Sequence, residues 1–127
     1  MKTSRRELGD LGEDVAAGYL TGLGHTVIER NWTAGHLEID IVTLASDGVH
    51  FVEVKSRTAS VSADPEENVT AVKRKRLCRA ALRYLNGPGY GKVPAGAEIF
   101  FDVVAVVFNG DSREIKYYPQ AFIPLYV

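Results

Sequence analysis

In the stretch FVEVKSR, residues 51–57, Glu53 and Lys55 interrupt a segment that otherwise reads as a buried strand. Charges are seldom taken out of water without a partner or a task. Two residues apart on a strand, the carboxylate and the ammonium share one face. Joined by a second acid, they form the donor set of a hard-cation site. Mg²⁺ or Mn²⁺ takes oxygen ligands, commonly one or two protein carboxylates, and keeps several waters. Such an ion acidifies and orients a bound water and neutralises charge developing on a phosphate. A lysine beside it can position or deprotonate that water, or stabilise the charge on phosphorus.

The second acid comes from the segment before. HLEIDIVTL, residues 36–44, alternates as a strand, and Ser46-Asp47-Gly48-Val49 is a hairpin turn signal. With Asp47-Gly48 as the two turn residues, Leu44 faces Phe51, Val42 faces Glu53, Asp40 faces Lys55 and Glu38 faces Arg57. Asp40, Glu53 and Lys55 then project to the same side, Asp40 opposite Lys55 and diagonal to Glu53. Opposed Cβ atoms lie roughly 4.5–5.5 Å apart and diagonal ones about 7–8 Å, close enough for two carboxylates to reach one cation. The competing reading is an Asp40–Lys55 cross-strand ion pair on a solvated face.

Residues 5–23 are expected to be helical. Leu8, Leu11, Val15, Ala16, Tyr19, Leu20 and Leu23 fall within one arc, and Gly24 ends it. Glu13 lies seven residues before Leu20, about 20° away around the helix, at the rim of that arc. From there it can lean over the sheet as a third acidic contributor; the alternative is a surface glutamate at a helix flank.

A first strand is expected at 25–32. After the hairpin, 58–63 read as a loop. DPEE then opens a second helix, with Asp64 as N-cap, Pro65 at N1 and Glu67 closing a capping box. That helix runs to about Leu85 and carries KRKRLCRAALR. Arg76, Arg79 and Arg83 form a stripe opposite Leu77, Cys78, Ala81 and Leu85. With Lys73, Arg74 and Lys75 this is the concentrated basic surface of the chain, suited to phosphates. The rival is a solvated face paired with Glu66 and Glu67. Strands at 97–108 and around REIKYYP complete the order α-β-β-β-α-β-β. No Gly-rich phosphate loop follows any strand, which argues against a doubly wound nucleotide-binding fold.

His25, His36 and His50 lack metal-ligand spacing and read as structural or surface residues; His50 is expected on the face opposite Glu53. Cys78 reads as core, and Asp102 as a buried acid paired with a basic group. At 127 residues, with 46% hydrophobic and 24% charged residues, the chain is expected to be one domain. Fifteen Lys and Arg against 16 Asp and Glu leave no global basic excess, so only clustering can signal nucleic acid. One cysteine excludes an internal disulfide framework, and the longest apolar run is too short to span a membrane. No apolar stretch follows the basic residues of the N-terminus to make a secretory signal. The expectation is a cytoplasmic domain with no membrane contact.

The blocks GDLGEDVAAGYLTGLGHTVIERNW, HLEIDIVT, VHFVEVKSR, ENVTAVKRKRLCRAALRYL and FFDVVAVV, in that order over roughly 9–122, resemble the YraN-like bacterial family. That family is placed among restriction-endonuclease-like folds related to Holliday-junction resolvases. The resemblance implies an α/β fold: a mixed sheet flanked by helices, an α-β-β-β-α-β nuclease core plus a C-terminal strand. It implies Asp40, Glu53 and Lys55 in the metal and catalytic positions, Glu13 as the helix-borne acid, and Glu38 as the acid of the family's usual GEID. Leu37 replaces a usual glycine, and SADPEE lacks one near Ala63, departures that bear on loop shape and leave the acids intact. The expected activity is Mg²⁺- or Mn²⁺-dependent hydrolysis of DNA, branched DNA included, which would need a symmetric homodimer for paired cuts. A non-catalytic nucleic-acid-binding module and a protein-interaction scaffold are the alternatives.

Overall fold

The computed structural model describes residues 4–59 and 70–122. A helix, α1 (Arg5–Gly22), precedes three antiparallel strands, β1 (Thr26–Ala34), β2 (Leu37–Ala45) and β3 (Gly48–Thr58). A second helix, α2 (Ala71–Asn86), leads to β4 (Ile99–Asn109) and β5 (Ser112–Phe122). The sheet order follows the chain, β1-β2-β3-β4-β5, and only β3 and β4 run parallel. Parallel neighbours need a long crossover, and α2 lies within it. This is the expected α/β architecture, with one helix on each face. Neither helix is long and apolar enough to cross a membrane.

One apolar cluster joins Leu77, Cys78, Ala81 and Tyr84 of α2 to Ile39, Val42, Val49, Phe51, Phe101 and Val103. The other joins Ala16 and Leu20 of α1 to Ile41, Val52, Val104 and Val106. β3 and β4 thus bury both faces, which is why they read as nearly continuous apolar runs.

α1 begins at Ser4, whose hydroxyl accepts the Glu7 N–H at 3.1 Å. Its buried stripe is Gly12, Glu13, Ala16 and Leu20, while Leu11 and Leu23 stay 48% and 52% exposed. The helix is therefore rotated from the expected arc, and Glu13 faces inward rather than sitting at its rim. Small side chains cause the rotation. Gly12 presses on β3 so closely that a Cβ there would overlap Ser56 Oγ and stand 2.8 Å from Ser56 Cβ.

The β2–β3 turn lies one residue earlier than expected. Ala45 pairs with Gly48, Leu44 with Val49 and Val42 with Phe51, so Ser46 and Asp47 form the reversal. Gly48 explains this. Its φ is 150°, and a Cβ there would run into the carbonyl oxygen of Glu98 as β4 begins. The register slides by two residues, so the side chains from Ile41 to Ala45, where the strands pair, keep their expected faces.

α2 starts with Thr70 as its N-cap, the hydroxyl accepting from Lys73 N at 3.2 Å. The expected cap at Asp64, Pro65 and Glu67 lies outside the described residues.

At the turn end of the sheet, Asp102 is fully buried and paired with a basic group, as expected. His50 Nδ1 lies 2.6 Å from Asp102 Oδ2, and His50 Nε2 lies 2.7 Å from Asp47 Oδ1. With a carboxylate on each side, both ring nitrogens donate, so His50 is an imidazolium. Asp102 also accepts from the Tyr117 hydroxyl at 2.6 Å and from Gln120 N at 3.0 Å. Burial works against the His50 charge, but the two carboxylates outweigh it and raise its pKa. The neighbouring His25 ring is 4.6 Å away; burial, then the His50 charge, lowers its pKa.

Two outcomes follow for stability. Gly12→Ala should cost roughly 1–3 kcal/mol in urea unfolding, because α1 must lift from β3; an unchanged midpoint would contradict the close contact. A histidine with a raised folded pKa stabilises fully below its unfolded value of 6.5, and that contribution fades as pH rises through the folded value. His50→Gln should therefore cost about 2 kcal/mol at pH 6 and less at pH 9, read from unfolding at both pH values.

Candidate active site

β2 and β3 are bridged only as far as Ile41 and Val52, whereas β3 stays beside β4 as far as Thr58. The hairpin opens like a fork at the end away from its turn. Ile39 and Val42, three residues apart, both pack under α2, while Ile41 packs under α1. Strict alternation forbids that pattern, so β2 turns about its own axis around Asp40. The adjacent strand is irregular at the same level, with Asn31 at φ 52°.

Asp40 stands in the fork. Its Oδ2 accepts the Val54 backbone N–H at 2.8 Å, taking the place of a β2 carbonyl. Continuing the register one step would set Asp40 opposite Glu53, not opposite Lys55 as expected. On the α2 side, Lys55 Nζ is 3.1 Å from Glu53 Oε1, with the two side chains 16% and 24% exposed. Lys73, in the first turn of α2, lies beside Lys55 and each acts on the other's charge. The expected trio of Asp40, Glu53 and Lys55 is thus gathered around one opening in the sheet.

Its electrostatics are strained. Burial, then the negative charge of Glu53, pushes the Asp40 pKa up to about 7; Glu13 and Glu38 add to the rise, and the Val54 N–H opposes it. Burial works against the Lys55 charge, yet Lys73, Glu53 and Asp40 together hold its pKa above the ordinary value. The hydrogen bond to Lys55, then burial and the Lys55 charge, lower that of Lys73. The two shifts are opposite in sign, so of this pair Lys55 is the one whose charge the site favours.

Glu13 is close but committed elsewhere. It is 7% exposed, and its Oε1 lies 3.5 Å from Arg30 Nη2, which also holds Asp14 Oδ1 at 2.7 Å. Burial raises its pKa against the pull of Arg30 and a hydrogen bond from Asn31. Among the described residues, no group of three or more His, Cys, Asp or Glu stands close enough to hold a metal ion. The gathered donors are therefore the carboxylates of Asp40 and Glu53, with Glu13 acting on Asp40 through its charge.

Two clefts meet at the fork. A cleft of about 340 Å³ on the α2 side is lined by His36, Glu38, Asp40, Glu53, Lys73 and Arg76 among others. A larger one of about 840 Å³ runs under α1, lined by Arg5, Arg6, Gly9, Asp10 and Glu13 together with Asp40 and the Val54, Lys55, Ser56, Arg57 and Thr58 run of β3. Of the expected basic stripe, Lys73 and Arg76 reach the centre. Arg74 lies over the Phe122 ring at 5.5 Å, and the exposed Arg79 and Arg83 line neither cleft. Arg5 and Arg6 were not singled out from sequence, although residues 5, 9 and 13 recur at helical spacing on one face. Cys78 is buried in the core, which raises its thiol pKa and leaves it inert.

A family model described as uncharacterised protein family UPF0102 matches residues 12–106, a span that holds Glu13, Asp40, Glu53, Lys55 and all of α2. The chain belongs to UPF0102. It is 38% identical over 118 residues to a UPF0102 protein of Myxococcus xanthus, covering 93% of this chain and 90% of that one. A UPF0102 protein of Bacteroides thetaiotaomicron is 36% identical over 118 residues, covering 93% of each chain. A third, from Syntrophotalea carbinolica, is 38% identical over 122 residues and 96% of each. The YraN-like resemblance of the sequence is thereby shown for this UPF0102 chain, across nearly its whole length.

An acid whose folded pKa exceeds its unfolded 3.8 makes the metal-free fold less stable as pH rises from there to about 7. Asp40→Asn keeps an oxygen for the Val54 N–H and removes the charge. Its melting temperature in EDTA should exceed that of the wild type at pH 8, with the gain shrinking by pH 5. An equal or lower value at pH 8 would contradict the repulsion.

Proposed function

We propose that this UPF0102 protein is a divalent-metal-dependent DNA endonuclease that hydrolyses phosphodiesters, with branched DNA as a substrate. The observation that carries the reading is the buried, charge-strained Asp40 beside Glu53 and Lys55, where two clefts bearing basic side chains meet. Two carboxylates in electrostatic conflict are a poor structural choice and a good hard-cation site, since Mg²⁺ or Mn²⁺ typically takes one or two carboxylates and fills its shell with water. Held by Asp40 and Glu53, the ion would supply an acidified water and neutralise phosphate charge.

The chain's own groups do the rest. Lys55 is fixed by Glu53 and remains cationic, so it orients the nucleophile and stabilises charge on the scissile phosphate rather than acting as a base. Glu13, held by Arg30, keeps the potential at Asp40 negative and favours a cation there. Lys73 and Arg76 offer positive charge to a neighbouring phosphate. Paired cuts in branched DNA need two centres related by a two-fold axis, so the reading carries a homodimer. A second reading, a non-catalytic nucleic-acid-binding module, is favoured by the commitment of Glu13 to Arg30, which leaves two gathered carboxylates instead of three.

Branched, nicked and linear DNA incubated with Mg²⁺ or Mn²⁺ separate these readings. Cleavage should fall about 10²-fold or more in Asp40→Asn, Glu53→Gln and Lys55→Ala. Unchanged turnover in these variants rejects the assignment. Salt-dependent binding that survives Glu53→Gln, with no cleavage under either metal, selects the non-catalytic module.

A further inference from the structure

We propose that the cleft under α1 is a second backbone-binding subsite for a single DNA strand, with Arg5, Arg6 and Arg57 holding the phosphates that lie beyond the acidic centre on the side away from α2. The proposal rests on the endonuclease reading and names where its substrate lies. The cleft under α1 and the one beside α2 share Glu38, Asp40, Val54 and Lys55 as lining. They adjoin at the fork, with Lys73 and Arg76 on one side and Arg5, Arg6 and Arg57 on the other.

Three observations fix the chemistry of the far end. Arg5 and Arg6 are exposed and have no ion pair among the described residues, unlike Arg30, which is tied to Glu13 and Asp14. Two adjacent, uncompensated guanidinium groups suit phosphate oxygens, which they can grip bidentately. Gly9 faces the cleft with nothing within 4 Å of where a Cβ would stand. Glycine in a helix costs about 0.5–1 kcal/mol relative to alanine, and here no packing contact accounts for it; its bareness keeps the cleft wall low between the arginines and Glu13. Ser56, also in the lining, has a buried Oγ with no hydrogen-bond partner among the described residues.

Size selects the strand. The cleft holds about 840 Å³ between α1 and β3, room for the backbone of one strand rather than for a duplex. Among the described residues no aromatic side chain lines the cleft, so they offer bases no stacking platform and the grip is on the backbone, indifferent to sequence. Arg5 precedes Glu13 by eight residues, about 12 Å along the helix axis. On a single strand, which is more extended than one in a duplex, the arginines engage phosphates a few nucleotides from the centre.

The test is fluorescence anisotropy of labelled single strands of increasing length, in EDTA and over a range of NaCl, with the full chain and the Arg5→Ala/Arg6→Ala and Arg5→Lys/Arg6→Lys variants. The alanine pair should weaken binding and flatten the slope of log affinity against log salt by about 1.4, roughly 0.7 for each lost phosphate contact. The lysine pair should restore the slope. The gap should open only once the strand extends past the centre by a few nucleotides, and should be absent on a blunt duplex. An unchanged slope at every length, or an equal gap on duplex and single strand, overturns this subsite while wild-type cleavage leaves the endonuclease reading standing. A wild type that neither binds nor cuts DNA removes both. Circular dichroism of the variants confirms that the exposed changes leave the fold intact.

Discussion

The hydrogen bond from the Val54 N–H to the Asp40 carboxylate is the contact on which the centre depends. A strand that leaves its partner exposes a row of backbone donors, and an unpaired one that is buried is costly. Asp40 satisfies that donor with a charged side chain, so β2 can part from β3 without leaving Val54 unpaired. The parting turns Ile39 and Val42 to the same face and opens the sheet from both sides. One carboxylate thus props the fork open and becomes the group around which the other charges gather.

The gathering is unfavourable in isolation. Glu53, Glu13 and Glu38 all raise the Asp40 pKa, and Lys55 is the cation held against Glu53. The scaffold that tolerates this is rigid elsewhere. β3 and β4 are buried on both faces, Gly12 locks α1 against Ser56, and His50 ties the hairpin turn to β4 through Asp47 and Asp102. The two charged clusters of the sheet differ in their balance. At the turn end an imidazolium meets two carboxylates, with Tyr117 and Gln120 adding donors, so the acids are fully served. At the fork Asp40 and Glu53 repel one another, and that repulsion is what a divalent ion would offset.

Much of this was legible in the sequence. The α-β-β-β-α-β-β order and the strand cores follow from periodicity, and Asp40, Glu53 and Lys55 do converge. Convergence survived a wrong turn because the register slipped by two residues, and two is the period of a strand. What the sequence could not show is close backbone approach. Gly48 selects Ser46-Asp47 as the reversal because β4 lies against it, and Gly12 rotates α1 because β3 does; both contacts are tertiary. The inward Glu13 follows from that rotation. Arg30 as its partner had no local signal, being 17 residues away. The Lys55–Lys73 pair was equally hidden, since charge runs read alike whether solvated or folded over a site. Arg5 and Arg6 were passed over at the start of the first helix, where basic residues usually lie in solvent.

The central claim is that Asp40 and Glu53 together hold a divalent cation at the fork. Crystals soaked in Mn²⁺ at pH 8 and measured for anomalous scattering address that directly. The expected result is a single strong peak about 2.1 Å from carboxylate oxygens of both Asp40 and Glu53, absent from crystals of the Asp40→Asn protein. A map with no manganese between those two side chains at millimolar concentrations, or with a peak that persists in the variant, would contradict it.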